Sequence, residues 1–193
     1  MGSAATAAHR LAVNRDMLPL QGRAQLAHPV DEALLEGLAN AVADALRAAG
    51  VDCRVFDGDV VRAEFSRDLG FSKADRSENI RRVAGRCREL NDAGTSVIAA
   101  LISPYREDRA AARAIVGDAQ FVEVFVATPI EVCEARDPKG LYARARAGTI
   151  ANFTGISDPY ELPLEPDLRL DTATCSLTEC VAATMKFLTR HRG

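Results

Sequence analysis

The sequence predicts an α/β fold: one three-layer α/β/α domain with a mainly parallel sheet. Strand-length apolar runs alternate with helix-period segments, the pattern of successive βα units. The run Ser96–Ile102 is apolar after its first residue, as a central strand buried on both faces requires. A chain of 193 residues is long enough for one full hydrophobic core.

Residues 1–28 have weak periodicity and read as an N-terminal arm, a tail or a weak first strand; the domain proper is placed at 29–193. From Asp31 the spacing of Leu34, Leu38, Ala41, Val42, Ala45 and Leu46 predicts a helix, with Gly50 as its C-terminal stop. Val51–Phe56 follows as a short strand. Asp75 and Glu78 have the spacing of a capping box and open a helix running to Gly94. After the Ser96–Ile102 strand come a helix at Arg106–Val116, a strand at Phe121–Ala127 and a short helix at Pro129–Arg136. Residues 137–166 are rich in Gly, Pro and polar side chains, and are too long for an idle connection; they read as a lid. Ser176 and Glu179 open the last helix.

The net charge of -3 argues against a general nucleic-acid partner, and no run approaches a membrane span. Five scattered cysteines with no C-x-x-C pair point to reduced thiols and a cytoplasmic setting, not to a disulfide frame or zinc site. Cys53 and Cys133 sit in apolar segments and read as small core residues.

In parallel sheets, ligands bind beyond the carboxyl ends of the strands. Asp57-Gly-Asp59 and Ser103-Pro-Tyr-Arg106 each directly follow an expected strand and therefore share that rim. Asp57 and Asp59 have the chemistry to hold Mg²⁺ or to accept a proton from a hydroxyl, although Asp-Gly-Asp alone more often makes a turn. Arg62, Arg76, Arg81, Arg82, Arg106 and Arg109 include candidates for a bidentate clamp on phosphate or sulfate, the rest being solvated helix-face residues. Phe71 and Phe153 stand in polar loops, where a ring can stack on a flat base or simply plug a hydrophobic gap. Ser103 is expected to be exposed.

These residues stand in segments that together resemble the adenylylsulfate (APS) kinase family. The segments are Phe56-Asp-Gly-Asp-Val-Val-Arg62, Arg67-Asp-Leu-Gly-Phe-Ser72, Asp75-Arg-Ser-Glu-Asn-Ile-Arg-Arg82 and Ile102-Ser-Pro-Tyr-Arg106. The resemblance continues through Asp137-Pro-Lys-Gly-Leu-Tyr142, Ala145-Arg-Ala-Gly148, Asn152-Phe-Thr-Gly-Ile156 and Asp158-Pro-Tyr-Glu161. They occur in family order and spacing. The resemblance implies a P-loop-kinase-like fold and a site for APS, whose ribose 3′-hydroxyl the family phosphorylates with MgATP to give PAPS. It implies that Phe71 and Phe153 sandwich the adenine, that Arg62, Arg76 and Asn79 hold the phosphosulfate, and that Ile102 and Ser103 lie beside the nucleotide. By the same resemblance Asp59, with Asp57 nearby, sits close to the reacting hydroxyl and metal, and Lys139, Arg144 and Arg146 belong to the lid.

One family feature is missing. The phosphate loop G-x-x-x-x-G-K-[ST] cradles phosphate with backbone N–H groups and handles charge and Mg²⁺ with its Lys and hydroxyl. Matching Asn40-Ala-Val-Ala-Asp-Ala-Leu46 to the family's first helix places that loop on Pro29–Glu36, where Leu35 replaces the Lys and Glu36 the Ser/Thr. Asp31, Glu32 and Glu36 bring carboxylates to the phosphate position, and no Lys precedes Lys73. In the lid, Ala143 stands where the family has Lys. The expectation is therefore a regulatory subunit or pseudokinase of sulfate activation that binds APS or PAPS with phosphoryl transfer lost. The alternative is an active adenylylsulfate kinase with an unusual ATP site. ATP and Mg²⁺, with Asp59 as metal ligand, enter only in the second case. A homodimer is expected, with ATP sulfurylase or an active APS kinase as possible protein partners.

Overall fold

The computed structural model describes the backbone of residues 23–27 and residues 32–190. Readings made for residues 1–22 and for Pro29 and Asp31 lie outside the described residues, as does the side chain of Glu32.

Five parallel strands form one sheet in the order β2-β3-β1-β4-β5. They are β1 (Arg23–Ala27), β2 (Cys53–Phe56), β3 (Ser96–Ala100), β4 (Phe121–Val126) and β5 (Leu168–Leu170). Residues 23–27, from the segment expected to be an arm or a weak strand, thus occupy the centre of the sheet. Gln25 pairs with Ala99 on one side, and Arg23–Ala27 run in register with Phe121–Phe125 on the other. The chain passes from β1 out to β2, returns through β3, then crosses to β4, so the connections diverge on either side of β1. Such a switch leaves a crevice at the strand ends, where ligands bind.

Helices α1 (Glu32–Ala48) and α7 (Leu177–Arg190) cover one face, while α3 (Lys73–Asp92) and α4 (Arg106–Val116) cover the other. The period-2 alternation of β3 divides its apolar residues between the two layers. Ile98 and Ala100 join the α1/α7 core, and Val97 and Ala99 join the α3/α4 core. All five residues of β3 are buried, as its uninterrupted apolar run requires. The buried stripe of α1 is Leu35, Leu38, Ala39, Val42, Ala43 and Leu46, rotated slightly from the expected face so that Ala41 and Ala45 sit at its margin. Gly50 ends that segment at φ 79°, a left-handed position that favours glycine.

The cap of α3 lies three residues earlier than expected. Ser72 Oγ accepts from the Asp75 N–H at 3.2 Å and donates to the Asp75 carboxylate at 2.7 Å. Asp75 is therefore the third residue of the helix, and Glu78 is free to pair with arginines further along. At α7 the box is as expected, Ser176 Oγ accepting from the Glu179 N–H and Glu179 accepting from the Ser176 N–H. The short α2 (Gly58–Glu64) and α5 (Ile130–Arg136) follow β2 and β4. The expected lid contains a further short helix, α6 (Leu141–Arg146), packed by Tyr142, Ala145, Phe153 and Cys133 into a third apolar cluster. Cys53 and Cys133 are buried, 6% and 1% exposed, as their apolar surroundings imply. No helix among the described residues is long and apolar enough to cross a membrane.

Leu38, fully buried in α1, fastens that helix to the sheet. Leu38→Ala is expected to lower unfolding stability by about 2–5 kcal/mol, read from urea denaturation curves.

Candidate functional site

A cavity opens at the carboxyl ends of β2, β3 and β1, and its wall is assembled from five segments. Gly58, Asp59 and Arg62 come from α2; Gly70, Phe71, Arg76, Asn79 and Ile80 from the start of α3 and the loop before it. Ala100–Pro104 continue from β3, Leu35 and Glu36 come from α1, and Lys139 comes from the lid. Of the site residues expected from sequence, Asp59, Arg62, Phe71, Arg76, Asn79, Ile102, Ser103 and Lys139 are brought together here.

The cationic side of this cavity is arranged around Phe71, which is 59% exposed. The Arg62 guanidinium lies 4.0 Å from its ring centroid and that of Arg76 5.9 Å, within cation–π reach. Arg62 donates to the Leu69 carbonyl at 3.1 Å, and Arg76 donates to the Phe71 carbonyl at 3.1 Å and to the Asn152 carbonyl at 2.7 Å. Both side chains are thus aimed by backbone acceptors. The Asn79 side-chain carbonyl oxygen is buried with no hydrogen-bond partner on the protein. Such an acceptor is costly unless a ligand satisfies it.

Ser103 lines the cavity but is only 2% exposed, correcting the expectation of an exposed serine. It holds a left-handed φ of 41°, a strained setting for a residue with a Cβ. The turn is held by Arg109, 3% exposed, which donates to the Ser103 carbonyl at 2.8 Å, to Glu123 of β4 at 2.8 Å and to the Glu161 carbonyl of the lid at 2.7 Å.

Further bonds dock the lid on the same turn. Tyr105 donates to Asp158 at 2.8 Å, Arg106 donates through its side chain to the Leu162 carbonyl at 2.7 Å, and the Glu161 N–H donates to the Pro104 carbonyl at 2.9 Å. Burial and the hydrogen bond to Asp158 push the Tyr105 phenol up to about 12.

Other expected site residues stand elsewhere. Asp57 caps α2, accepting from the Val60 N–H at 2.8 Å, so its carboxylate serves the helix terminus. Phe153 is buried edge-on against Tyr142, with ring centroids 5.2 Å apart, and is not part of the cavity wall. Arg146 pairs with Glu134, and Arg144 is exposed on α6. Arg81 and Arg82 share Glu78, whose carboxyl they hold down at about 2, and Arg82 also pairs with Asp68. Among the described residues no three His, Cys, Asp or Glu side chains gather into a metal cage.

The sequence reading missed the structural use of Arg109 and the Tyr105–Asp158 tie. The available signals were that Arg109 follows the rim motif, Tyr105 lies within it and Asp158 opens a lid segment. It also left β5 unassigned, because a three-residue strand carries too little pattern.

The family profile of adenylylsulphate kinase matches residues 33–171. The chain belongs to the adenylylsulphate kinase family. It is 52% identical over 151 residues to the adenylyl-sulfate kinase of Shewanella pealeana, covering 78% of this chain and 74% of that protein. Its fold is similar to that of the Mycobacterium tuberculosis APS kinase CysC solved with AMPPNP and APS. The TM-score is 0.83 at 41% identity, over 89% of this chain and 99% of that one. A hexameric APS kinase from Thiobacillus denitrificans matches with a TM-score of 0.67 at 30% identity, over 88% of this chain and 29% of that one.

Helix α1 begins at Glu32 and sets Leu35 and Glu36 in its first turns. Leu35 is 3% exposed and packed into the α1/α7 core.

The Tyr105–Asp158 tie gives a signed pH dependence. An acid whose folded pKa is raised adds stability below its unfolded pKa, near 10, and loses it as pH climbs through the folded value. The stability difference between the wild type and Tyr105→Phe is therefore expected to be constant from pH 7 to 9 and to shrink from pH 10 towards 12, in denaturation curves recorded across that range.

Proposed function

We propose that this chain binds APS or PAPS at the cavity around Phe71, and that phosphoryl transfer from ATP has been lost. The observation that carries the reading is the asymmetry of that cavity's wall. Arg62, Arg76, Asn79 and Phe71 supply anion clamps, an unsatisfied acceptor and a stacking ring. At the opposite end a buried Leu35 and the carboxylate-bearing Glu36 stand where a donor nucleotide would need Lys and Ser/Thr. ATP and Mg²⁺ do not fit this end. An apolar side chain cannot replace the lysine, and a carboxylate at the Ser/Thr position repels phosphate instead of helping to hold its metal. Each lost charge-assisted contact removes about 1.5–3 kcal/mol, so a few such losses abolish useful triphosphate affinity.

In this reading the protein is a regulatory component of sulfate activation. The Mycobacterium tuberculosis structure carrying APS supports the choice of ligand. A homodimer, or assembly with ATP sulfurylase or an active APS kinase, extends the same proposal; an oligomeric relative supports self-association.

The second reading is an active adenylylsulfate kinase with a differently built donor site, favoured by the adenylyl-sulfate kinase names of relatives about half identical to this chain. There Asp59 would hold the metal or take the hydroxyl proton, and Lys139, Arg144 and Arg146 would serve the lid. Calorimetric titration with APS is expected to give micromolar binding, weakened at least about tenfold by Arg62→Ala, which removes a charged contact. Absence of heat with both APS and PAPS overturns the binding proposal. Formation of PAPS from APS and MgATP, lost in Asp59→Ala, establishes the second reading instead.

A further inference from the structure

We infer that Glu36 makes the cavity selective for the nucleotide with a free ribose 3′-hydroxyl, APS, against the 3′-phosphorylated form, PAPS. The inference rests on the proposed APS site and names which of its two ligands that site takes.

The cations of the wall are unevenly placed. Arg62 and Arg76 both gather at the Phe71 ring, 4.0 and 5.9 Å from its centroid. They come from segments that follow β2, the edge strand of the sheet. Glu36 comes from α1, which follows the central β1, and reaches the same cavity from the other side. Asp59 adds a second carboxylate to the wall, and among the described lining residues Lys139 is the one cation contributed by the lid. In the inferred pose, a nucleotide held at Phe71 by its base and anionic groups sets its ribose between Glu36 and Asp59.

A 3′-hydroxyl suits that side, because carboxylates accept the hydrogen bond it donates. A 3′-phosphate does not. A phosphate monoester carries about -1.5 to -2 charge at neutral pH and would face two like-charged groups. Like charges brought together in a binding site weaken affinity and serve to exclude a wrong ligand. A phosphate loop has a hydroxyl residue at this position, which adds no such charge. The departure at Glu36 therefore turns an end built to receive phosphate into one that rejects it.

The test is calorimetric titration of APS and of PAPS into the wild type, Glu36→Gln and Glu36→Ser, with thermal unfolding to verify that each variant is folded. The wild type is expected to bind APS at least about tenfold more tightly than PAPS, and both variants to bring the two affinities within about threefold by tightening PAPS. Wild-type binding of PAPS as tight as that of APS overturns the inference and leaves the APS site standing. A ratio unchanged in both folded variants overturns it equally. If the wild type binds neither nucleotide, the proposed site falls and the inference with it.

Discussion

The buried guanidinium of Arg109 ties together three parts of the molecule that are distant in sequence. Its partners are the Glu123 carboxylate on β4, the Ser103 carbonyl in the turn after β3 and the Glu161 carbonyl in the lid. A charge only 3% exposed is tolerable because every direction of its fork meets an acceptor, one of them ionic. The left-handed Ser103 turn persists because its carbonyl is held in this way. That turn carries Ile102 and Ser103 into the cavity and presents Pro104, Tyr105 and Arg106 to the lid. Removing the cation would leave a largely buried carboxylate without its charge partner and release the turn and lid together.

The consequence is a cavity whose Phe71 side is organised by contacts within the protein itself. Arg62 and Arg76 are aimed by backbone carbonyls, the lid rests on the rim, and Asn79 holds a buried acceptor with no protein partner. Organisation before binding lowers the entropic cost of holding a ligand. The end formed by α1 is organised too, but for packing. Leu35 belongs to the core that joins α1, α7 and the sheet, so it cannot be spared for a ligand without loss of that core.

Much of this was legible in the sequence where pattern and physics coincide. β3 and β4 stood out as apolar runs because central parallel strands are covered on both faces. The helix at Arg106–Val116 and the Ser176/Glu179 cap were equally readable. β1 was barely legible, since Arg23 and Gln25 interrupt its apolar pattern although it pairs on both sides. For the site, residue chemistry picked out Arg62, Phe71, Arg76, Asp59 and Ser103. It could not separate them from Arg81, Arg82 and Arg106, whose partners come from local helix pairing or from the distant lid. Nor could it foresee that Asp57 would be spent on a helix cap or that Phe153 would pack inside the lid. Those outcomes depend on contacts between segments far apart in the chain.

In the proposed function, one half of a two-substrate site is kept while the other is rebuilt as helix and core. Equilibrium titration of MgATP into the purified protein, beside APS under the same conditions, tests this most directly. The prediction is saturable APS binding with no heat from MgATP up to millimolar concentration. Saturable MgATP binding at micromolar concentration would contradict it.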